Sequence, residues 1–338
     1  MKYIKLKDVC KINMGQSPDS SSYNESGEGI PFFQGNADFG DRYPVTRIWC
    51  SEPKKVAQEN DILISVRAPI GAINYSKEKC CIGRGLAALT VDKTKISEKL
   101  LFWVLKAKKE ELNRQGTGST FKAISKKSLE ELLIPQIDIK EQEKDVEILE
   151  KIYMIIQNKH KELKLLTDLI SARFVEMFGD PIRNTQNRPT TKLINVVKMQ
   201  RGFDLPVQDR NQDGNIPVYG ANGVLDSHNT ARIHGGGVIT GRSGTIGKVF
   251  YTEGDYWPLN TSLFSVDKHG NNVIYLAYLL QMFDLTRFVE GTGVPTLNRN
   301  MFHNRQIIDV PINEQNQFAA FVQQVNKSKF EVQKSLEK

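Results

Sequence analysis

Two stretches of the chain, KLKDVCKINMGQSP (residues 5–18) and KLINVVKMQRGFDLP (residues 192–206), resemble each other and decide how the whole sequence divides. The similarity continues in the same order at an offset of about 175 to 187 residues, which indicates an internal repeat. The further pairs are IPFF with IPVY (30–33 and 216–219), SVRAPIG with GRSGTIG (65–71 and 241–247), two GTG triplets (116–118 and 291–293), and a proline followed by Glu-Gln (135–142 and 311–315). Since glycines, prolines and turn formers dominate these matches, we expect one backbone scaffold used twice with different side chains.

Each repeat is predicted to be a strand-rich α/β globule. Short apolar runs, typical of buried strands, alternate with turn-forming stretches, and a helical spacing follows at residues 96–114 and near 273–288. The strand-like runs are residues 61–66, 86–91, 237–240 and 263–266. The chain has 338 residues, which is enough for two domains that each bury a core.

A different kind of segment lies between the repeats. Residues 141–178 contain no proline or glycine, and their apolar residues recur with the 3-4 spacing of a coiled-coil seam. The two heptad series are Leu149, Ile156, Leu163, Ile170 and Met177, and Val146, Tyr153, His160, Thr167 and Phe174. Gly179 and Pro181 are expected to end this helix. At about 57 Å it is predicted to be a spacer, the alternative being a long core helix.

A second helix is predicted at residues 313–338, with Phe318, Val325 and Val332 at heptad spacing. It can return antiparallel along the first helix, but at about 39 Å it is expected to end early. The seam positions left without a partner in the same chain would be exposed or covered by another chain. The residues predicted to bind a partner are Val146, Leu149, Tyr153 and Ile156.

The expected fold class is therefore α+β, with two similar strand-rich α/β domains separated by long antiparallel coiled-coil helices. The expected bounds are residues 1–137 for the first domain, 138–179 for the spacer helix, 180–312 for the second domain and 313–338 for the shortened second helix.

Composition excludes some classes of protein and favours others. No run of about 18 apolar residues occurs and the first ten residues lack a signal-peptide pattern, so a cytoplasmic protein without a membrane span is expected. The four cysteines have no CxxC spacing and the five histidines do not cluster with them, so no metal site is predicted. The net charge of +7 suits a polyanionic partner without requiring one.

Catalytic motifs fail on their spacing. GGGVITGRSGTIGKV (residues 235–249) is glycine-rich, but a phosphate-binding P-loop needs glycine where Arg242 stands and serine or threonine where Val249 stands. Pro18-Asp19 with residues 52–54 imitates a PD…ExK nuclease motif, yet Pro53 would disrupt the strand that such a site needs. The sequence therefore favours recognition over catalysis.

Basic and amide side chains recur at equivalent turns of the two repeats. Arginine in SVRAPIG and GRSGTIG suits bidentate hydrogen bonding to guanine or phosphate, the alternative being a surface salt bridge. Amides after the Ile-Pro step could pair with adenine or simply form turns. Lysines and arginines near the GTG triplets fit phosphate contacts. The residues predicted to contact DNA are Gln34, Asn36, Arg67, Arg84, Lys122, Lys126, Asn222, Arg242, Arg299 and Arg305.

These features together resemble the specificity subunit of type I restriction–modification enzymes. The resemblance rests on two diverged α/β units with an Ile-Pro turn, GTG, and Pro…Glu-Gln leading into a long helix, and on ARFVEMFGDP (residues 172–181) at the end of the first helix. It covers essentially the whole chain.

The resemblance implies a non-catalytic subunit that recognises a bipartite site in double-stranded DNA. Each of its two target-recognition domains would read one half, and the helices would set the gap and dock two methyltransferase subunits. Members of this family often also recruit restriction subunits. No cofactor is expected in this chain, since S-adenosylmethionine, Mg and ATP would be bound by the partner subunits.

The final helix departs from the family pattern because it is short. The sequence leaves open a complete subunit, a truncated one, or one completed in trans, with self-association through the shortened C-terminal helix as an option. The competing hypotheses are a coiled-coil protein-binding scaffold without DNA specificity and a self-contained endonuclease.

Overall fold

A computed structural model describes residues 2–118, 122–291 and 295–337. The chain divides into Met1–Ile155, called unit 1, and Ile156–Lys338, called unit 2. The division falls inside the helix that joins the two repeats, so each unit contains one repeat and part of that helix. The described helices include none that is both long enough and apolar enough to cross a membrane.

Unit 1 is built largely from short strands. Helices α1, α2 and α3 are Glu98–Ala107, Lys109–Gln115 and Lys126–Glu130, and 3-10 turns occupy Leu6–Asp8, Ser20–Ser22 and Asn36–Asp38. The strands are β1 Tyr3–Lys5, β2 Cys10–Met14, β3 Tyr23–Asn24, β4 Ile30–Phe33, β5 Trp49–Cys50, β6 Val56–Ala57, β7 Ile62–Ser65, β8 Ile73–Tyr75, β9 Cys80–Ile82, β10 Leu86–Val91 and β11 Leu133–Pro135.

The central sheet of unit 1 is antiparallel, with the strand order β2-β10-β7-β8. Its strands are apolar on both faces because both are covered. Ile62 and Ile64 pack into the larger core with α1, whereas Leu63 between them packs into a second cluster with Phe33. This alternation is the period of a strand, and it explains why β7 reads as a continuous apolar run.

Unit 2 contains the second set of elements and the C-terminal part of α4. The helices are α4 Ile139–Phe178, which begins in unit 1, α5 Leu193–Val196, α6 Val273–Phe283, α7 Arg299–His303 and α8 Ile312–Leu336, with 3-10 turns at Val207–Asp209 and Leu285–Phe288. The strands are β12 Thr190–Lys192, β13 Lys198–Arg201, β14 Ile216–Gly220, β15 Gly223–His228, β16 Gly237–Gly241, β17 Val249–Thr252, β18 Trp257–Pro258, β19 Ser262–Asp267, β20 Val289–Glu290, β21 Thr296–Leu297 and β22 Gln306–Ile308.

The duplication is visible in the hydrogen bonding. The sheet β13-β19-β16-β17 repeats the order of the central sheet of unit 1, β12-β22 repeats β1-β11, and the parallel pair β14-β18 repeats β4-β9. Individual backbone bonds correspond as well. Gly15 N to Leu86 O (2.9 Å) matches Gly202 N to Ser262 O (3.1 Å), and Gly83 N to Phe33 O matches Leu259 N to Tyr219 O (2.8 Å each). The predicted repeated scaffold is confirmed.

Two predicted helices are shorter than expected. The helical spacing at residues 96–114 forms α1 and α2, which are separated at Lys108. The helix predicted near 273–288 ends at Phe283, because Asp284 adopts a left-handed conformation with φ 53°. A 3-10 turn, Leu285–Phe288, follows.

Helix α4 has 40 residues and is therefore about 60 Å long. Gly179 ends it as predicted, with φ +75° and its N–H bonded to Val175 O at 2.8 Å. Within unit 2, α8 runs antiparallel to the last part of α4. Phe318 near the start of α8 packs on Phe174, and Lys329 further along donates to Thr167 at 2.9 Å. The antiparallel helix pair is confirmed for this stretch.

The prediction that the first seam positions lack a partner within the chain is wrong for Val146 and Tyr153. Both are only 8% exposed. Val146 joins the core of unit 1, and the Tyr153 ring lies 5.2 Å from that of Trp103. Periodicity misled here because a helix side packed on its own domain has the same spacing as a coiled-coil seam. Leu149 is half-buried and Ile156 is 37% exposed.

Candidate nucleic-acid interface

One edge of unit 1 collects several chain turns. Antiparallel pairing places the C-terminal ends of β2 and β7 beside the N-terminal end of β10, with Met14 opposite Ala87 and Ser65 opposite Leu86. Strand β4 ends at the same edge, since Gly83, just before β10, donates to the Phe33 carbonyl. The residues that follow these strands therefore converge, although they are far apart in sequence.

A groove of about 1010 Å³ opens at this edge. It brings together four of the residues predicted to contact DNA, namely Gln34, Asn36, Arg67 and Arg84. Sequence reasoning missed other lining residues, among which Arg47, Tyr23 and Phe32 add a cation and aromatic surface. Arg47 lies outside the matching stretches that revealed the repeat, so duplication gave no signal for it.

The guanidinium groups of the groove differ in their partners. Arg47 is neutralised by Asp38 at 2.7 Å. The Asp38 carboxylate also accepts from the backbone N–H of Gln34 at 2.7 Å, which holds the loop that carries Gln34 and Asn36. Arg67 and Arg84 are exposed, and neither forms an ion pair within the described part of the chain. Their donors are available to an acceptor from outside the protein.

The predicted lysines of unit 1 lie in two places. The carbonyl of exposed Lys122 accepts from the backbone N–H of Ala68 at 3.1 Å, so Lys122 lies beside the Arg67 turn. Lys126 begins α3, and its ammonium lies 3.5 Å from the Glu130 carboxylate. The first GTG triplet, residues 116–118, is described. Residues 119–121, which follow it, and residues 292–294, which include the last two residues of the second triplet, lie outside the described residues.

Unit 2 builds the same edge from β13, β16 and β19, with Gly241 opposite Ser262. Half-buried Arg242 donates to the Asn260 carbonyl at 3.4 Å. Asn222 occupies the turn between β14 and β15, where its side-chain oxygen accepts from Lys248 at 2.7 Å. Arg242 and Asn222 therefore both lie next to strand ends of this edge, and their contact with DNA stays a prediction.

The structure shows that Asn260, which sequence reasoning missed, is the equivalent of Arg84. In unit 1 the Gly85 carbonyl accepts from the backbone of Val66, and in unit 2 the Thr261 carbonyl accepts from Arg242, both at 2.8 Å. Asn260 and Arg84 immediately precede these two carbonyls. The sequence around Asn260 shares no letters with residues 83–85, so only the hydrogen-bond register reveals the correspondence.

The last two predicted arginines lie on α7 and just after it. Arg299 is the first residue of α7, and Arg305 follows the end of that helix. The Arg305 carbonyl accepts from Leu193, which precedes β13, whereas the opposite end of β13 lies at the edge. Arg305 instead lines a groove of about 370 Å³ with Arg287 and Met301.

Within the described residues, no group of three or more histidine, cysteine, aspartate or glutamate side chains is arranged to hold a metal ion. The four cysteines are buried free thiols. Burial raises the pKa of Cys80 to about 11 and that of Cys10 to about 12. These thiols are therefore protonated at neutral pH and poor nucleophiles.

Comparison with known proteins gives a consistent result. A family model described as type I restriction modification DNA specificity domain matches residues 1–167 and 189–338. A provisionally named MjaX type I restriction enzyme specificity subunit of Methanocaldococcus jannaschii is 47% identical over 152 residues, covering 45% of this chain and 36% of that protein. The MjaIX specificity subunit of the same organism is 25% identical over 195 residues, covering 54% and 45%. The matches thus span between a third and a half of these curated relatives.

A solved structure shares the fold over almost the whole chain. The type I restriction-modification system S subunit from M. genitalium aligns with a TM-score of 0.62 over 99% of this chain and 92% of that one, at 15% sequence identity. Since the family model matches both repeats and nearly all of the sequence, the chain belongs to the type I restriction–modification DNA specificity family.

Proposed function

We propose that this chain is the sequence-specific DNA-recognition subunit of a type I restriction–modification system, with each unit reading one half of a bipartite duplex site. The observation that carries the proposal is the strand edge built twice with matching backbone bonds and different side chains. When the same backbone is used twice with different polar side chains, both copies can dock on the same kind of ligand while each reads a different sequence.

The groove of unit 1 supplies the chemistry that such reading needs. Arg67 and Arg84 present guanidinium donors that form no ion pair within the described residues, and these donors suit the acceptor-rich edge of guanine or a phosphate. Lys122, beside the Arg67 turn, adds a cation for the DNA backbone. Phosphate contacts of this kind supply affinity, and the base-edge contacts supply the discrimination between sequences.

Helix α4 offers a surface for the partner subunits. Ile148, Ile152, Met154 and Ile155 are each about half exposed or more, at 55%, 49%, 55% and 59%. Met154 and Ile155 also line a groove of about 760 Å³ beside α1. Exposed large apolar side chains grouped in this way are typical of a protein–protein interface. We assign this surface to binding of the methyltransferase subunits, which would bind S-adenosylmethionine and catalyse the methyl transfer. Helix α4 itself would set the gap between the half-sites.

Restriction subunits with Mg and ATP would complete a nuclease, while this chain would remain non-catalytic. Binding to duplex DNA, measured with the methyltransferase partner present, tests the recognition role. We expect affinity to fall steeply with salt, because several phosphates are neutralised. Arg67→Glu with Arg84→Glu should weaken binding strongly, whereas Lys11→Glu, an exposed charge at the other end of β2, should not. Equal effects of both changes, or no binding by the wild type, would contradict the proposal.

The docking surface needs its own experiment. The double change Ile152→Asp and Ile155→Asp should abolish co-purification with the methyltransferase subunit and leave the circular dichroism spectrum unchanged. Lys144→Asp, an exposed position on the same helix, is the matched control. Assembly of the double variant at wild-type affinity would show that the partner docks elsewhere.

A further inference from the structure

The two units place different side chains at equivalent positions of their edges. In unit 2 two of these side chains are hydrogen-bonded to each other, which fixes the orientation of one of them. In unit 1 the backbone N–H of Arg84 donates to the Ser17 hydroxyl at 3.3 Å. Ser17 corresponds to Asp204, because each lies two residues after the equivalent glycines Gly15 and Gly202. In unit 2 the side-chain amide of Asn260 donates to the Asp204 carboxylate.

This bond fixes which way the Asn260 amide points. A carboxylate can only accept hydrogen bonds, so the NH₂ group of Asn260 must face Asp204 and the amide cannot be flipped. One N–H and the side-chain oxygen of Asn260 remain without a protein partner among the described residues. The free edge of the side chain is therefore one donor beside one acceptor.

Adenine is the base whose major-groove edge matches this pattern. It presents an N7 acceptor next to an N6 amino donor, whereas guanine presents two acceptors, N7 and O6. Guanine would place its O6 against the Asn260 oxygen, with no proton between them. Arg84, at the equivalent position of unit 1, offers donors alone and therefore favours guanine.

We propose that Asn260, held by Asp204, reads an adenine in the half-site recognised by unit 2. This inference rests on the proposed function, since it names one base contact of that recognition. Asn260 contacts the base and Asp204 is a positioning residue that acts through Asn260. Arg242, which donates to the Asn260 carbonyl, lies next to the same contact, and its other guanidinium N–H groups, which have no side-chain acceptor among the described residues, would suit the adjoining DNA backbone.

Selection of bound duplexes from a random library by the full chain, followed by sequencing, tests this reading. Wild type should enrich an adenine at one position of one half-site. Asn260→Ala and Asp204→Ala should each reduce that preference, Asn260→Ala by about 5- to 150-fold, and leave the other half-site unchanged. Asn195→Ala is the matched control. Asn195 is an exposed asparagine of α5, which precedes β13 and lies at the end of that strand opposite the edge, so the adenine preference should persist.

A selected duplex carrying 7-deazaadenine at this position, which lacks the N7 acceptor, supplies an independent measurement on unchanged protein. Wild type should lose affinity for it, and Asn260→Ala should show no further loss, because the two changes remove the same bond. Additive losses, a change at a base other than adenine, or an unaltered preference in both variants would overturn the inference. A wild type that enriches no sequence would instead refute the proposed function.

Discussion

Replacing Phe174 by alanine tests the packing that joins α8 to α4. The Phe174 side chain is fully buried in unit 2, with the rings of Phe178, Phe318 and Tyr275 at centroid distances of 5.0, 5.4 and 6.0 Å. Removing a buried phenylalanine costs about 3–5 kcal/mol, through lost burial and the cavity left behind. We therefore expect the free energy of unfolding of unit 2 to fall by about 4 kcal/mol.

Urea denaturation followed by circular dichroism measures this change. With a slope of about 2 kcal/mol per molar urea, a loss of about 4 kcal/mol shifts the midpoint of the unit 2 transition down by about 2 M. Val175→Ala is the matched control, because Val175 is the next residue of α4 and is 42% exposed. It should shift the midpoint by less than about 0.3 M. If both variants shifted the midpoint equally, the account of the α4–α8 core would be refuted.

Two further perturbations address the units separately. Arg42→Met should lower the free energy of unfolding of unit 1 by about 1.5–3 kcal/mol. The reason is that half-buried Arg42 bonds Glu150 at 2.6 Å and lies 4.5 Å from the Tyr153 ring. The same urea measurement checks it, with Arg47→Met as the exposed control. Burial, with the charges of Arg299 and Lys198, lowers the pKa of His303 below 6.5, and its Nε2 accepts from the backbone of Met199 at 3.0 Å. Because the unfolded state binds the proton more tightly, the stability of unit 2 should be complete above pH 6.5 and fall below it. The urea midpoint should drop from pH 7.5 to 5.5 in the wild type and change less in His303→Gln.

The duplicated scaffold could be predicted because it depends on residues with special backbone requirements. Gly15 and Gly202 recur since any side chain would collide with neighbouring carbonyls, at 2.2 Å from Gly83 O and 2.3 Å from Leu259 O. The end of α4 could be predicted for the same reason, because Gly179 adopts a positive φ that favours glycine. Each of these constraints is met by glycine alone, so it leaves a visible letter in the sequence even where the group that imposes it lies far along the chain.

What could not be predicted depends on contacts between distant segments. Tyr153 fits a coiled-coil seam by its spacing, but its hydroxyl bonds Asp41, from a loop more than a hundred residues earlier. Asn260 carries no local mark of function and becomes a candidate only when strand register aligns it with Arg84. Arg305 has the right chemistry for a phosphate, yet β13 separates it from the edge that collects the other turns.

The central claim, that the two strand edges each read one half of a DNA site, is tested most directly by methylome sequencing. Host cells expressing the wild-type chain with its methyltransferase partner would be compared with cells expressing Arg84→Ala. We predict a bipartite methylated motif with a constant gap in the wild type. Arg84→Ala should relax one half of that motif and leave the other half intact. A methylome that does not change when the gene is removed, or a variant that alters both halves equally, would contradict the account.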